Sequence, residues 1–332
     1  MSSPMLLFSV PGTQFSFRAR LLPADNPSVV DLVLKHLPLN SVLCHVVVSG
    51  ETFYIPSRIL FFGSGNMVKR QRGTVYFHAP GHTICVCYGN ATESAEVNQF
   101  GQVLQDDLEN LPAIGKLVYQ QTVQNETPTI VRVEVRLIGG DGLVKEVDTP
   151  LPVSAAHWRV VKAHIEKEID EMWFEEPDEV RKIRLGVIES GAGSGGQSFS
   201  VLVHLKAFLM LDGSNIVYRM LQLAHRTTLT TDDIKEITHV FLTKTFNHFE
   251  FYNDLGLPSL LRVGNEYCKA LDTVTNKAEY VELTGALLVY VTHMHRWIHF
   301  IFPWHLGAGF PHRAPAEIAG FSRLLTYSEE AN

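Results

Sequence analysis

The sequence predicts an α+β fold in which a strand-rich first part precedes a helix-rich second part. In the first part apolar and polar residues alternate with period two, and Pro-Gly, Ser-Gly and Gly-Asn pairs interrupt the alternating runs. From Ser154 onward the apolar residues recur every three or four positions, which is typical of helices that bury one face. We therefore expect a β domain over residues 1–125, a connector with one strand over 126–153, and a helical bundle over 154–332.

Each predicted element follows from a local pattern. The first helix begins at Pro27, because Asn26 suits the N-cap and proline suits the first helical position. Alternating runs predict strands at 15–22, within a hairpin at 42–62, and at 74–78, 82–89 and 130–138. Three- and four-residue spacing predicts helices at 154–174, 199–211, 214–225, 231–252, 258–274 and 279–302.

The composition indicates an ordinary globular protein. The chain has 332 residues, of which 45% are hydrophobic and 19% charged, so it can form two domains with separate cores. A net charge of −7 argues against a nucleic-acid partner. We expect no membrane span, because the most apolar stretch, 283–309, contains four histidines and an arginine. We expect no signal peptide, because the first residues carry no basic leader and too short an apolar run. Four cysteines make no disulfide framework, which indicates a reduced, cytoplasmic protein.

The hairpin carries the most informative set of polar side chains. If Ser49-Gly50 forms a two-residue turn, His45 pairs with Tyr54, and Glu51 lies on the opposite face. A carboxylate beside apolar side chains has a raised pKa, which suits a general base or acid near neutrality. The alternative for Glu51 is a solvated glutamate at a turn.

Other candidates lie outside the turn. Arg58 is either a bidentate ligand for a substrate carboxylate or a charge at a strand end. His82 and Tyr88 are expected on one face of their strand by period two, although a surface histidine is the alternative for His82. His293 and Arg296 are three apart on a predicted helix, so they are neighbours that combine a base with a cation.

Two further patterns have simpler interpretations. Gly191, Gly193 and Gly196 fit a dinucleotide-binding motif after the strand-like run RKIRLGVI, but we expect a flexible loop because no second parallel strand follows. His295 and His299 have the spacing of metal ligands on a helix, yet the sequence provides no third ligand. We expect these histidines to pack against the other domain and predict neither a metal nor a cofactor.

The N-terminal motifs resemble a cyclophilin-like barrel of the small prokaryotic branch. The likeness rests on the first helix, the hairpin with its Ser49-Gly50-Glu51 turn, and the segments 79–90 and 98–118, in this order. The isomerase branch has a phenylalanine-histidine-arginine run where this chain has Leu-Cys-His-Val at 43–46, so isomerase activity is not expected. With its helical second half, the whole chain resembles the cucumopine/mikimopine synthases.

The resemblance implies an opine synthase that condenses L-histidine with 2-oxoglutarate in a Pictet–Spengler reaction without nicotinamide. It implies Glu51 as the principal base, with His82 or His293 as a second proton carrier. Substrate-binding roles would then fall to His45, Tyr54, Arg58, Tyr88 and Arg296. The alternatives are an NAD(P)H-dependent opine dehydrogenase that uses the glycine loop and a non-enzymatic cyclophilin-like ligand-binding module. An exposed apolar helical face would favour a homodimer.

Overall fold

The computed structural model describes residues 4–138, 156–187 and 198–309. The strands are β1 (Met5–Ser9), β2 (Ser16–Leu21), β3 (Leu39–His45), β4 (Gly50–Pro56), β5 (Met67–Val68), β6 (Thr74–His78), β7 (Thr83–Ala91), β8 (Val97–Val103) and β9 (Val131–Ile138). The α-helices are α1 (Pro27–Lys35), α2 (Leu111–Tyr119), α3 (His157–Glu171), α4 (Asp178–Arg184), α5 (Ser198–Phe208), α6 (Asn215–Ala224), α7 (Thr231–Asp254), α8 (Pro258–Leu271) and α9 (Lys277–Ile301).

Eight of the strands close into an antiparallel barrel, as predicted. Their order is β2-β1-β9-β3-β4-β7-β6-β8, and β8 pairs with β2 to complete the circle. Among the described strands, the two-residue strand β5 pairs with β8 alone. Side chains that alternate along the strands fill the interior, among them Leu6, Phe8, Phe17, Phe53 and Phe100. Because closure pairs the strand edges, the barrel is stable without a covering layer on each face.

The strand expected in the connector is part of the barrel itself. β9 lies between β1 and β3 and pairs antiparallel with both. Its residues Val131, Val133 and Val135 are buried in the barrel core. The barrel therefore extends to Ile138, beyond the boundary expected at residue 125. Local patterning identifies such a strand but does not show which distant strands it pairs with.

The predicted pairing of His45 with Tyr54 is wrong by one residue. In the structure Cys44 pairs with Tyr54, and His45 pairs with Phe53. The reason is the connection between the two strands, which spans residues 46–49 rather than two residues. Since side chains alternate between the faces of a strand, His45 shares the inner side of the barrel with Phe53, while Tyr54 faces outward.

The second half is helical, as predicted, and α9 lies at its centre. α9 packs against α3, α5, α6 and α8, and most of its residues are buried. A π-helical segment, Leu209–Ser214, joins α5 to α6. The first half of the strand-like run RKIRLGVI is instead helical, because residues 181–184 lie in α4. The glycines at 191, 193 and 196 lie outside the described residues.

One described stretch, 199–224, is long and apolar enough to cross a membrane by length and composition alone. In its apolar 18-residue window 39% of the residues are buried inside the protein. Val217 and Leu221 of α6, within the stretch, are buried in the core. Core helices of globular proteins often have such a composition, so this finding is weak evidence for a membrane segment. Phe199 and Val203 of α5 are nevertheless exposed apolar residues.

Candidate active site

A pocket of 470 Å³ opens at one end of the barrel and contains two of the predicted site residues, Glu51 and Tyr88. Its lining comes from the start of β4, the end of β7, the segment before β6 and the start of α2. The complete lining is Glu51, Arg70, Gln71, Arg72, Tyr88, Gly89, Asn90, Ala91 and Pro112. One carboxylate, two guanidinium groups and one phenol therefore face a common space, which we call the barrel-mouth pocket.

Glu51 is held at the rim of this pocket with most of its carboxylate free. Its Oε2 accepts a hydrogen bond from the backbone N–H of Asn90 at 2.6 Å. A Cβ atom at Gly89 would collide with the carboxylate, so the glycine makes room for it. The predicted apolar surroundings are wrong, because Glu51 is exposed. Within the described part of the chain no cation lies within 4 Å of it, so its remaining lone pairs can accept a proton.

Tyr88 is supported from inside the barrel by His45. The backbone N–H of Val47 donates to His45 Nδ1 at 2.9 Å, so Nε2 carries the proton and donates it to the Tyr88 hydroxyl at 2.9 Å. Desolvation lowers the pKa of His45 to about 4 and, together with the charge of Glu51, raises the pKa of Tyr88 to about 12. Both groups are thus neutral at pH 7, and the phenol can donate its own proton into the pocket.

Arg70 and Arg72 place guanidinium groups on the opposite side of the pocket. The side chain of Arg70 is only 3% exposed and contacts the Glu93 carboxylate at 2.8 Å, while its Nε has no hydrogen-bond partner among the described residues. Arg72 donates to the carbonyl oxygen of Leu108 at 2.7 Å and is half exposed. Guanidinium groups bind carboxylates through paired N–H donors, so this side of the pocket suits an anionic ligand.

The structure does not bring His82 into the pocket. His82 precedes β7 in the left-handed conformation (φ 50°), and it is buried rather than on the surface. Its Nδ1 lies 3.2 Å from the carbonyl oxygen of Ile59, and desolvation lowers its pKa to about 4. His82 lies just before β7, outside the strand on which a face shared with Tyr88 was predicted. Tyr88 is six residues further along the chain, roughly 20 Å for an extended strand.

His293 and Arg296 are neighbours, as predicted, but they lie between the helices rather than in the pocket. Both are buried. His293 Nε2 lies 3.1 Å from the carbonyl oxygen of Met172, and Arg296 donates to the carbonyl oxygen of Trp173 at 3.0 Å. These carbonyls follow the end of α3, where helices leave acceptors unpaired. In the described structure both side chains thus satisfy the end of α3.

Tyr54 and Arg58 lie on the outside of the barrel, against the helical domain. The Arg58 guanidinium stacks on the Trp173 ring at 4.8 Å and pairs with Asp170 of α3. The half-buried Tyr54 contacts the ring of His299, with 6.2 Å between the ring centroids. Neither residue lines the barrel-mouth pocket, and both help to join the two domains.

One histidine of the α9 pair, His299, packs against the barrel, whereas His295 contacts Lys206 of α5. The rings of His295 and His299 are 6.4 Å apart, and His299 Nε2 lies 3.2 Å from the backbone carbonyl of His45. Among the described residues no group of three histidine, cysteine or acidic side chains could hold a metal ion. His299 therefore connects α9 to the end of β3, whose last residue, His45, supports Tyr88.

Comparison with known proteins relates the helical half to a family model and most of the chain to a solved structure. Residues 158–301 match the family model of the cucumopine synthase C-terminal helical bundle domain. Eight chains of solved structures match the protein. One is the structure of McbB in complex with tryptophan, at 25% identity and a TM-score of 0.82, covering 92% of this chain and 100% of that one.

A second matching structure, the solution structure of the hypothetical protein AF2241 from Archaeoglobus fulgidus, is 17% identical and covers 40% of this chain and 94% of that one. Its TM-score of 0.30 is too low to support an argument. No curated protein matches the chain significantly. Together, the family match and the likeness to McbB confirm the predicted resemblance, the predicted fold class and the prediction of a Pictet–Spengler enzyme.

The two pocket arginines are the functional candidates that the sequence analysis missed. Arg70 and Arg72 lie in an irregular segment with no periodic pattern. The only signal in the sequence is the group of three cations at Lys69, Arg70 and Arg72, just before a strand. Such a group usually indicates a solvated surface, and only the folded barrel shows that it faces Glu51.

Proposed function

We propose that the barrel-mouth pocket is the active site of an opine synthase that condenses L-histidine with 2-oxoglutarate. The observation that carries the proposal is the combination, in one pocket, of an unpaired carboxylate, a neutral phenol and two guanidinium groups. The α-amine of histidine attacks the ketone, water leaves, and the imidazole carbon attacks the resulting iminium to close a six-membered ring. Loss of the ring proton then restores the aromatic imidazole. No hydride is transferred.

The pocket residues match the needs of these steps. Glu51 accepts the proton that the imidazole carbon loses, because its carboxylate is exposed to the pocket and lacks an ion-pair partner among the described residues. The Tyr88 hydroxyl donates to the ketone oxygen, which promotes attack by the amine and the later departure of water. Arg70 and Arg72 bind the carboxylates of the oxo acid. Holding both substrates in one pocket supplies much of the rate enhancement.

The remaining predicted residues act indirectly in this scheme. His45 keeps Tyr88 in position and supplies the hydrogen bond to its oxygen. Tyr54 and Arg58 hold the helical domain against the barrel, and His293 and Arg296 join α9 to the end of α3. None of these four residues lines the described pocket, so their removal should affect the stability of the protein more than the chemical step.

The test is a condensation assay with purified protein, L-histidine and 2-oxoglutarate, without nicotinamide. Mass spectrometry should detect a product whose mass is the sum of the two substrates less one water. Glu51→Gln should lower kcat roughly 10²- to 10⁴-fold, the usual contribution of a general base. The matched control is Glu96→Gln, an exposed glutamate outside the pocket. Equal turnover by Glu51→Gln and the parent would refute the assignment of the base.

We also propose that the protein is a cytoplasmic homodimer. Exposed apolar side chains on α5 and α7, among them Val203 and Val240, support a surface that a second copy covers. The four thiols are buried or half-buried and unpaired, which supports a reducing compartment. Light scattering should give the mass of two chains, and Val240→Glu should lower it to one. A single-chain mass for the parent would contradict the dimer.

A further inference from the structure

Lys206 is a half-buried amine that the proposed chemistry does not use. It lies on α5 and faces α9, where its Nζ is 3.1 Å from Nε2 of His295. Within the described ranges no carboxylate lies within 4 Å of Nζ, so the amine has no counter-ion there. It is also not part of the barrel-mouth pocket. A partly buried lysine without an acidic partner is costly to keep charged.

The contacts of His295 favour the neutral form of this amine. His295 Nε2 is 3.2 Å from the backbone carbonyl oxygen of Lys206 itself. A carbonyl oxygen can only accept, so this contact is a hydrogen bond when Nε2 carries the hydrogen. In that tautomer a neutral Nζ can accept at its lone pair, so both contacts of Nε2 are favourable. A protonated Nζ fits the other tautomer, in which Nε2 accepts from the amine and the contact with the carbonyl oxygen is lost.

Burial makes the neutral amine accessible near neutral pH. It lowers the pKa of Lys206 to about 8, so roughly a fifth of the amine is unprotonated at pH 7.4. The next histidine on the same face of α9, His299, has a pKa lowered by desolvation to about 3, so it carries no charge at neutral pH. Its Nε2 is directed at the carbonyl oxygen of His45 rather than at Lys206. An amine that is unprotonated, partly accessible and beside an imidazole N–H is a nucleophile with a proton donor at hand.

We propose that Lys206 is a Schiff-base site for 2-oxo acids. The lone pair of Nζ attacks the ketone carbon, the oxygen takes up a proton, and the nitrogen loses one to give a neutral carbinolamine. The hydroxyl group then leaves as water as it takes the proton of His295 Nε2–H, and the remaining proton of the nitrogen returns to His295, so that a neutral carbon–nitrogen double bond joins Lys206 to the oxo acid. Addition of water reverses every step and restores the free amine. The inference rests on the proposed function only in taking 2-oxoglutarate as the oxo acid.

The experiment is reductive trapping of the imine in the full-length protein. Sodium cyanoborohydride reduces iminium ions but leaves ketones intact near neutral pH. With 2-oxoglutarate present, the intact mass should increase by one 2-oxoglutarate less one oxygen atom, and peptide mapping should place the adduct on Lys206. At pH 7.4 an amine of pKa about 8 is on the order of 100-fold more deprotonated than an unperturbed lysine. Labelling of Lys206 should therefore exceed that of the exposed Lys167 by about tenfold or more.

Lys206→Arg is the matched variant, because it retains a cation of similar length that cannot form an imine. It should abolish the adduct at this position and leave the labelling of Lys167 unchanged. Mapping the parent protein does not depend on whether the variant folds. Labelling of Lys206 no greater than that of Lys167 would overturn the inference. The condensation assay without reductant is read separately: product without a Lys206 adduct overturns only the Schiff-base site, and an adduct without product overturns only the opine synthase.

Discussion

Lowering the pH should destabilise this protein, because the fold buries several histidines in their neutral form. The buried examples with pKa values lowered by desolvation are His45, His82 and His293. In the unfolded chain a histidine has a pKa near 6.5. Below that pH the unfolded state binds protons that the folded state does not bind until about pH 4. The free energy of unfolding should therefore be constant above about pH 7 and fall as the pH decreases toward 4.

The magnitude follows for His82, whose pKa is lowered to about 4. For a pKa that shifts from 6.5 in the unfolded chain to 4 in the folded protein, the linkage relation lowers the free energy of unfolding at pH 5 by about 2 kcal/mol relative to pH 7.5. His45 has a similar pKa and contributes a similar amount. A total near 4 kcal/mol is a large part of the stability of an ordinary domain. Urea unfolding followed by tryptophan fluorescence at pH 7.5 and pH 5 measures it.

The decisive variant is His82→Asn. Asparagine tolerates the left-handed backbone at this position but does not titrate. Between pH 7.5 and pH 5 the free energy of unfolding of the variant should fall by about 2 kcal/mol less than that of the parent, whatever the stability of the variant at pH 7.5. His157→Gln replaces an exposed histidine at the start of α3 and serves as the control, with a loss equal to that of the parent. If the parent and His82→Asn lost the same free energy, the buried neutral state of His82 would be refuted.

Three further substitutions test the pocket and the bundle. Gly115→Ala would place a methyl group 2.5 Å from the Tyr88 ring, so kcat should fall as the ring moves; an unchanged kcat would argue against a role for this phenol. Arg72→Gln should raise the KM for 2-oxoglutarate about tenfold but that for pyruvate less, since pyruvate has one carboxylate; equal effects would contradict this role. Thr284→Val removes the hydroxyl that lies 2.7 Å from the Tyr267 hydroxyl in the helical core. Denaturant unfolding should show that the free energy of unfolding falls by about 1–3 kcal/mol. An unchanged free energy of unfolding would show that the Tyr267 hydroxyl finds another partner.

The elements of the fold could be predicted because their signals are local. The period-two runs and the three- and four-residue spacing correspond to the strands and helices observed, and Pro27 begins α1 as expected. Pairing between distant strands has no comparable local signal. For this reason the place of β9 between β1 and β3 was not predicted. The predicted register of the hairpin was wrong for a related reason, because a Ser-Gly pair permits a tight turn but does not require one.

The candidate site was predictable only in part. Glu51 and Tyr88 stood out because each is a polar residue at the end of an alternating run, and the fold brings those ends together. Arg70 and Arg72 had no such pattern, since the irregular segment that holds them is placed by tertiary contacts. The spacing of His293 and Arg296 correctly made them neighbours. It could not reveal that the carbonyl oxygens after α3 would occupy both side chains.

Access from the barrel-mouth pocket, together with unused hydrogen-bonding capacity, separates the residues that act on a substrate from those that hold the fold. His293 and Arg296 are buried and bonded to backbone carbonyls, and although Arg296 Nε has no partner among the described residues, neither side chain lines the pocket. Glu51 has one backbone donor and an exposed carboxylate, and Tyr88 accepts from His45 while keeping its own proton. These groups can form new bonds without breaking old ones. Chemistry at the barrel mouth therefore requires no rearrangement of the domain interface, whereas chemistry at the interface would.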